Sequence, residues 1–108
     1  MSNYVIFLGA LRKESTNRQL AEAFIHHLPE GVTAVVFERL REVPFYDEDL
    51  DVPGQEPDAA RELREAVRDA DGLVIITPEY NHTAPAVITN AIDWCSRPMG
   101  SGVLMGKP

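Results

Sequence analysis

Two short polar segments of this chain carry residue types suited to ligand chemistry, and each follows an apolar run. Tyr4–Leu8 leads into Gly9-Ala10-Leu11-Arg12-Lys13-Glu14-Ser15-Thr16-Asn17. Leu73–Ile76 leads into Thr77-Pro78-Glu79-Tyr80-Asn81-His82. An open parallel sheet binds ligands beyond the carboxyl ends of its strands, where the strand order reverses. The first segment suits an anion and the second a flat polar ring. Together they point to a phosphorylated aromatic cofactor.

The first segment has the parts of a phosphate cradle. Backbone N–H groups at a helix start point outward, and the helix dipole favours an anion there. Ser15, Thr16 and Asn17 add short side chains that donate hydrogen bonds, and Arg12 adds a planar fork that matches phosphate oxygens. Each charge-assisted hydrogen bond contributes about 1.5–3 kcal/mol, so three or four anchor a cofactor tail. Two familiar nucleotide loops do not fit. A Walker loop needs Gly-Lys before its hydroxyl residue, where Glu14 stands before Ser15. A dinucleotide loop needs glycines where Leu11 and Glu14 sit. What remains is a loop rich in side-chain donors around a terminal phosphate, as in flavin mononucleotide, or a polar loop that merely caps a helix well.

The second segment is the sharper signal. Pro78 ends a strand and forces an extended turn, whose free N–H and C=O groups can pair with the polar edge of a pyrimidine-like ring. Tyr80 offers an aromatic face, and Asn81 both donates and accepts. A structural turn explains the proline but not the whole group.

These segments need a scaffold, and the rest of the chain reads as alternating strands and helices. Tyr4–Leu8 is continuously apolar, as expected of a strand covered on both faces. A helix begins near Ser15 or Thr16, and Thr16 with Gln19 has capping-box spacing. Its apolar stripe is Leu20, Phe24 and Leu28, with Ala21 and Ile25 beside them, and Pro29-Glu30-Gly31 stops it. Val32–Phe37 reads as a second strand. Residues 38–55 form an irregular connection with the acids Glu42, Asp47, Glu48, Asp49 and Asp51, expected to be solvated, with Phe45 and Tyr46 pinning it to the body. Pro57 opens a helix with the stripe Ala59, Leu63, Ala66, Val67 and Ala70. Leu73–Thr77 is a third strand. Ala84–Arg97 is a third helix, with Val87, Ile88, Ala91, Ile92 and Cys95 on its buried face.

The order β-α-β-α-β-α predicts a parallel sheet with right-handed crossovers and strand order 2-1-3. The third strand is then an edge, although Leu73-Val74-Ile75-Ile76 has no charge to guard it. With the chain stopping at Gly106-Lys107-Pro108, the expectation is a domain over residues 1–108 that lacks its C-terminal strands.

Composition narrows the function. The 108 residues allow one small domain, and 44% hydrophobic with 25% charged residues is ordinary for a globular protein. A net charge of −7 disfavours a nucleic-acid partner, which needs a basic face. No stretch is long enough to span a bilayer, and Ser2 and Asn3 provide no positive start for a signal peptide. Cys95, the sole cysteine, forms no internal disulfide and fits a reducing, cytoplasmic setting.

The motifs resemble those of the NADPH-dependent FMN reductase family, which includes quinone, azo-dye and chromate reductases. The family pattern is Gly-Ser-x-Arg-x-x-Ser-x-Asn after strand one, matched by Gly9, Arg12, Ser15 and Asn17. Pro78-Glu79-Tyr80-Asn81 is complete, followed by Pro85 and Asn90-Ala91-Ile92-Asp93-Trp94, and Pro44-Phe45-Tyr46-Asp47 is similar to the family's loop after strand two. The resemblance implies an α/β, flavodoxin-like three-layer sandwich, with order 2-1-3-4-5 when complete. It implies that Arg12, Ser15 and Asn17, with Gly9, Ala10 and Thr16 around them, hold the FMN phosphate, and that Pro78, Glu79, Tyr80 and Asn81 line the ring. It further implies that hydride would pass from NADPH or NADH through FMN to a small acceptor such as a quinone, azo compound or metal oxyanion. No side-chain nucleophile is required, and a homodimer or homotetramer is expected. The rival is a non-catalytic FMN- or phosphate-binding domain or inactive fragment.

The chain departs from the pattern at Ala10, where serine is usual, at Glu14, which is expected to point outward, and at Ala86 and Thr89, which replace glycine and lysine. The resemblance also implies a later Ser/Gly-rich loop flanking the other side of the flavin, and that loop is expected to be missing with the C-terminal strands. His82 reads as a solvated loop residue, adjacent His26 and His27 as a polar helix face, and Trp94 as a packed core residue.

Overall fold

The computed structural model describes residues 2–9, 16–77, 85–97, 102–104 and 106–108. Three parallel strands, β1 (Ser2–Leu8), β2 (Val32–Val36) and β3 (Gly72–Ile76), lie in the order β2-β1-β3, as the alternation predicts for a flavodoxin-like sheet. The register sets Val5 beside Val35 and Leu73, and Leu8 beside Ile76. The helices are α1 (Thr16–His26), α2 (Asp58–Asp69) and α3 (Ala86–Cys95), with a 3-10 turn at Leu40–Glu42.

β1 explains the three layers. Side chains alternate across a strand. Val5 and Phe7 face α2, α3 and the 3-10 turn, in a core with Leu63, Val67, Ile88 and Trp94. Ile6 and Leu8 face the other way, with Ala21 of α1 and Ala34 of β2. Every residue from Val5 to Leu8 is buried, which is why the run is apolar without alternation.

The two helical layers are unequal. Of the α1 stripe only Ala21 is buried; Leu20 is 57% exposed, and Phe24 and Ile25 also face solvent. Periodicity identified the face of α1 that seeks a partner, and the described residues cover only part of it. On β3, Ile75 is exposed too. Beside this edge the Leu73 N–H donates to the Pro108 carbonyl at 3.0 Å, and Lys107 Nζ reaches the Arg68 and Ala70 carbonyls.

Element ends shift modestly from expectation. β3 ends at Ile76 rather than Thr77, and β2 at Val36 rather than Phe37. α3 spans Ala86–Cys95, with Pro85 as its extended N-cap, because proline's missing N–H costs nothing at a helix start.

The acidic connection differs more. Glu48 and Asp49 are exposed as expected, but Asp51 is drawn inward by Arg64, an α2 residue that is itself buried. Arg64 Nη1 and Nη2 donate to the two Asp51 oxygens at 2.7 and 2.9 Å, and Arg64 Nε donates to the Trp94 carbonyl at 2.8 Å. The Tyr46 hydroxyl also donates to Asp51, at 2.9 Å, and its ring meets the Trp94 ring edge to face at 4.8 Å. These hydrogen bonds hold the Asp51 carboxyl below the usual carboxylate range, the Arg64 fork contributing most. Tyr46 therefore pins the loop as expected. Phe45 does not: it is 78% exposed.

Candidate functional site

Both polar segments leave the sheet at the same edge. β1 and β3 are parallel neighbours that end in register, Leu8 opposite Ile76. The Gly9 N–H extends this ladder by donating to the Ile76 carbonyl at 2.8 Å. The first segment starts at Gly9 and re-enters the described chain at Thr16; the second starts after Thr77 and re-enters at Pro85. Ala10, Arg12 and Ser15, and Pro78, Glu79, Tyr80 and Asn81, lie outside the described residues, as do Glu14 and His82. Gly9, Thr16 and Asn17 can be placed.

Gly9 is buried where the two strand exits nearly touch. A Cβ there would lie 2.2 Å from Thr77 Oγ1, 2.7 Å from Thr77 Cβ and 3.0 Å from Thr77 Cα. Only glycine permits this approach, so the family-like glycine has a local reason that the turn itself does not supply. Gly9→Ala is expected to push the β3 exit away and lower stability by about 1–3 kcal/mol, the usual cost of overpacking. The midpoint of urea unfolding reads the effect, and Thr77→Gly in the same chain should recover part of it.

Thr16 and Asn17 are the first residues of α1, whose first turn holds no acidic residue. Arg18 follows them in the first turn. Its Nη2 donates to Glu38 Oε1 at 2.6 Å and its Nη1 to Glu38 Oε2 at 3.3 Å. Glu38 lies just beyond β2, so this bidentate pair ties the first turn of α1 to the exit of β2. The Glu38 hydrogen bonds raise the Arg18 pKa, so the guanidinium stays charged and paired. Sequence reasoning missed Arg18. Its signal was faint, a cation one residue past a polar loop whose partner lies 20 residues away.

On the α3 side, the Asn90 to Trp94 stretch has a structural role. Asn90 Nδ2 and Trp94 Nε1 both donate to the Pro44 carbonyl, at 2.9 and 2.7 Å, and the Tyr46 N–H donates to Asn90 Oδ1 at 2.8 Å. Spacing of four residues sets both side chains on one helix face. Trp94 and Cys95 are fully buried, as expected of packed residues, and burial pushes the Cys95 thiol up to about 12. That keeps it protonated and unreactive at neutral pH.

Among the described residues no helix is long and apolar enough to cross a membrane.

Known proteins share this organisation. A 2-hydroxy-1,4-benzoquinone reductase of Burkholderia sp is 42% identical over 103 residues, covering 95% of this chain and 55% of the relative. A quinone reductase of Escherichia coli strain K12 is 38% identical over 104 residues, covering 96% of this chain and 55% of that one. The solved structure of FerB, a flavoenzyme NAD(P)H:(acceptor) oxidoreductase from Paracoccus denitrificans, superposes with a TM-score of 0.87 at 33% identity, over 100% of this chain and 58% of its own. The chain thus spans little more than half the length of these relatives. The family model for NADPH-dependent FMN reductase matches residues 2–108, and the chain belongs to that family.

Proposed function

We propose that this chain is the FMN-binding part of an NAD(P)H-dependent oxidoreductase that reduces a small acceptor of quinone type. The observation that supports the reading is the junction at Gly9, where the N–H bond to Ile76 joins the strand ends from which both segments start. One ligand with a phosphate at one end and a ring system at the other spans two such neighbouring loops. FMN fits the residues present. The first turn of α1 offers the hydroxyl of Thr16, the amide of Asn17 and the positive end of a helix dipole, and it carries no carboxylate. Family membership and the quinone reductase names of its relatives support the acceptor class.

In this proposal Arg12, Ser15, Thr16 and Asn17 hold the phosphate, with the backbone at Gly9 and Ala10 close to the tail. Pro78 to Asn81 line the ring through backbone groups and the Tyr80 face. FMN held there would supply the redox chemistry between NAD(P)H and the acceptor. The protein orients and shields the ligand and needs no nucleophile. The net reaction balances as NAD(P)H, a proton and a quinone giving NAD(P)+ and a hydroquinone. A cytoplasmic homodimer or homotetramer belongs to the same reading, as does a sheet continued past β3 in the order 2-1-3-4-5.

The purified protein is expected to be yellow and to bleach when NADPH or NADH is added without oxygen. Colour without bleaching would favour a non-catalytic FMN-binding domain. Colourless protein that takes up no added FMN would overturn the reading.

A further inference from the structure

We infer that the cleft between the 40–45 turn and the start of α3 receives the flat apolar ring of the electron acceptor, with Phe45 as its outer wall. This rests on the oxidoreductase reading and gives the acceptor a site of its own. The cleft is a cavity of about 280 Å³ lined by Leu40, Val43, Phe45, Ala86 and Val87, with Arg41 and Asn90 as its polar members. That volume is near the lower end for small-molecule sites, and a few polar groups on apolar walls are the usual composition.

The position suits an acceptor. Ala86 and Val87 open α3 directly after the segment 78–84, which the proposed function sets against the cofactor ring. Leu40 and Arg41 also line a smaller recess bounded by Leu8, Arg18 and Phe37. The two hollows therefore share a wall along the strand-exit edge, between the start of α1 and the start of α3.

Phe45 is the second, independent observation. A phenyl ring in water is unfavourable, and loop residues normally turn such a ring inward. Here both neighbours of Phe45 are fixed. Pro44 is held through its carbonyl by Asn90 and Trp94, and Tyr46 through its N–H by Asn90. One buried amide thus grips the backbone on either side of the ring and holds it outward. Asn90 is the positioning residue and Phe45 the contact. A planar apolar ligand in the cleft would cover the ring and relieve its exposure. A phosphorylated tail would gain nothing from Leu40, Val43 and Val87.

A redox-inert ring, 2-naphthol, tests the site without cofactor. Titrated into flavin-free protein with labelled methyl groups, it is expected to shift the signals of Leu40, Val43, Ala86 and Val87. Phe45→Ala should weaken this binding about tenfold, and Phe45→Tyr should restore it. In the FMN-loaded protein, Phe45→Ala should raise KM for 2-methyl-1,4-naphthoquinone more than it lowers kcat. The ratio of kcat/KM for that quinone over ferricyanide should fall by a similar factor. Asn90→Ala, checked for folding by circular dichroism, should move the same ratio in the same direction. Shifts confined to other methyl groups, or equal losses with both acceptors, would overturn the inference. So would a drop in oligomer mass for Phe45→Ala with no 2-naphthol shifts, which would make the cleft a contact between copies. Failure to take up FMN is a separate result that strikes the proposed function and leaves the 2-naphthol titration readable.

Discussion

Asp51→Ala is expected to destabilise the fold by about 3–5 kcal/mol, the range for removing one partner of a buried ion pair. Asp51 and Arg64 side chains are only 15% and 9% exposed, and the lost carboxylate would leave Arg64 charged and buried against Trp94. Small domains have about 5–15 kcal/mol of stability in total, so the variant should unfold at much lower denaturant. Glu56, whose carboxylate lies 3.8 Å from Arg64 Nη1, offsets part of the loss. The same pair sets an acid limit. Asp51 has its carboxyl pKa lowered by folding, chiefly by the Arg64 hydrogen bonds. Its contribution is complete above the unfolded carboxylate value of about 3.9 and is lost as pH falls through the lower folded value. Urea midpoints measured from neutral pH downward should fall in that window, and Asp51→Asn should flatten that part of the curve.

Arg12→Ala is expected to weaken FMN binding by about 10–100-fold, the loss of one charge-assisted hydrogen bond of about 1.5–3 kcal/mol. Riboflavin, which lacks the phosphate, should bind the variant and the parent alike. This difference separates a phosphate role from a general disturbance of the loop. Arg18, six residues on, is paired with Glu38. Equal loss for both ligands would remove Arg12 from the phosphate site. Fluorescence titration of either flavin with the two proteins measures it.

Much of the scaffold was legible because it rests on local pattern. The unbroken apolar run in β1 implied cover on both faces, and Val5 with Phe7 against Ile6 with Leu8 fills two layers as expected. Pro29-Glu30-Gly31 marked a turn, and Gly31 has the positive φ of 85° that a side chain would resist. Less legible was anything that depends on a distant partner. Arg64 lies outside the apolar stripe of α2; only Asp51 and the Trp94 carbonyl, brought in by the fold, make it a buried hub. Phe45 reads as an anchor because phenyl rings favour cores, yet Asn90 bonds to its two neighbours and turns it out. The α1 stripe reads as core for the same reason, while Leu20, Phe24 and Ile25 stay exposed. Periodicity reports which face seeks cover and is silent on what supplies it.

The site divides in the same way. Gly9, Thr16 and Asn17 stand at the strand-exit edge where the loop pattern placed them, and the approach of Thr77 explains the glycine. Arg18 and Glu38, which brace that edge, belong to different elements and carry no joint motif.

Backbone amide shifts recorded while FMN and then riboflavin are titrated into the purified protein address the central claim most directly. One FMN molecule bridging both loops predicts shifts at Gly9, Thr16 and Asn17 together with shifts at Thr77, Tyr80 and Asn81, all following one dissociation constant. Riboflavin should move the second group and leave the first nearly still. FMN shifts in one group only, or in both with different dissociation constants, would contradict a single bridging ligand.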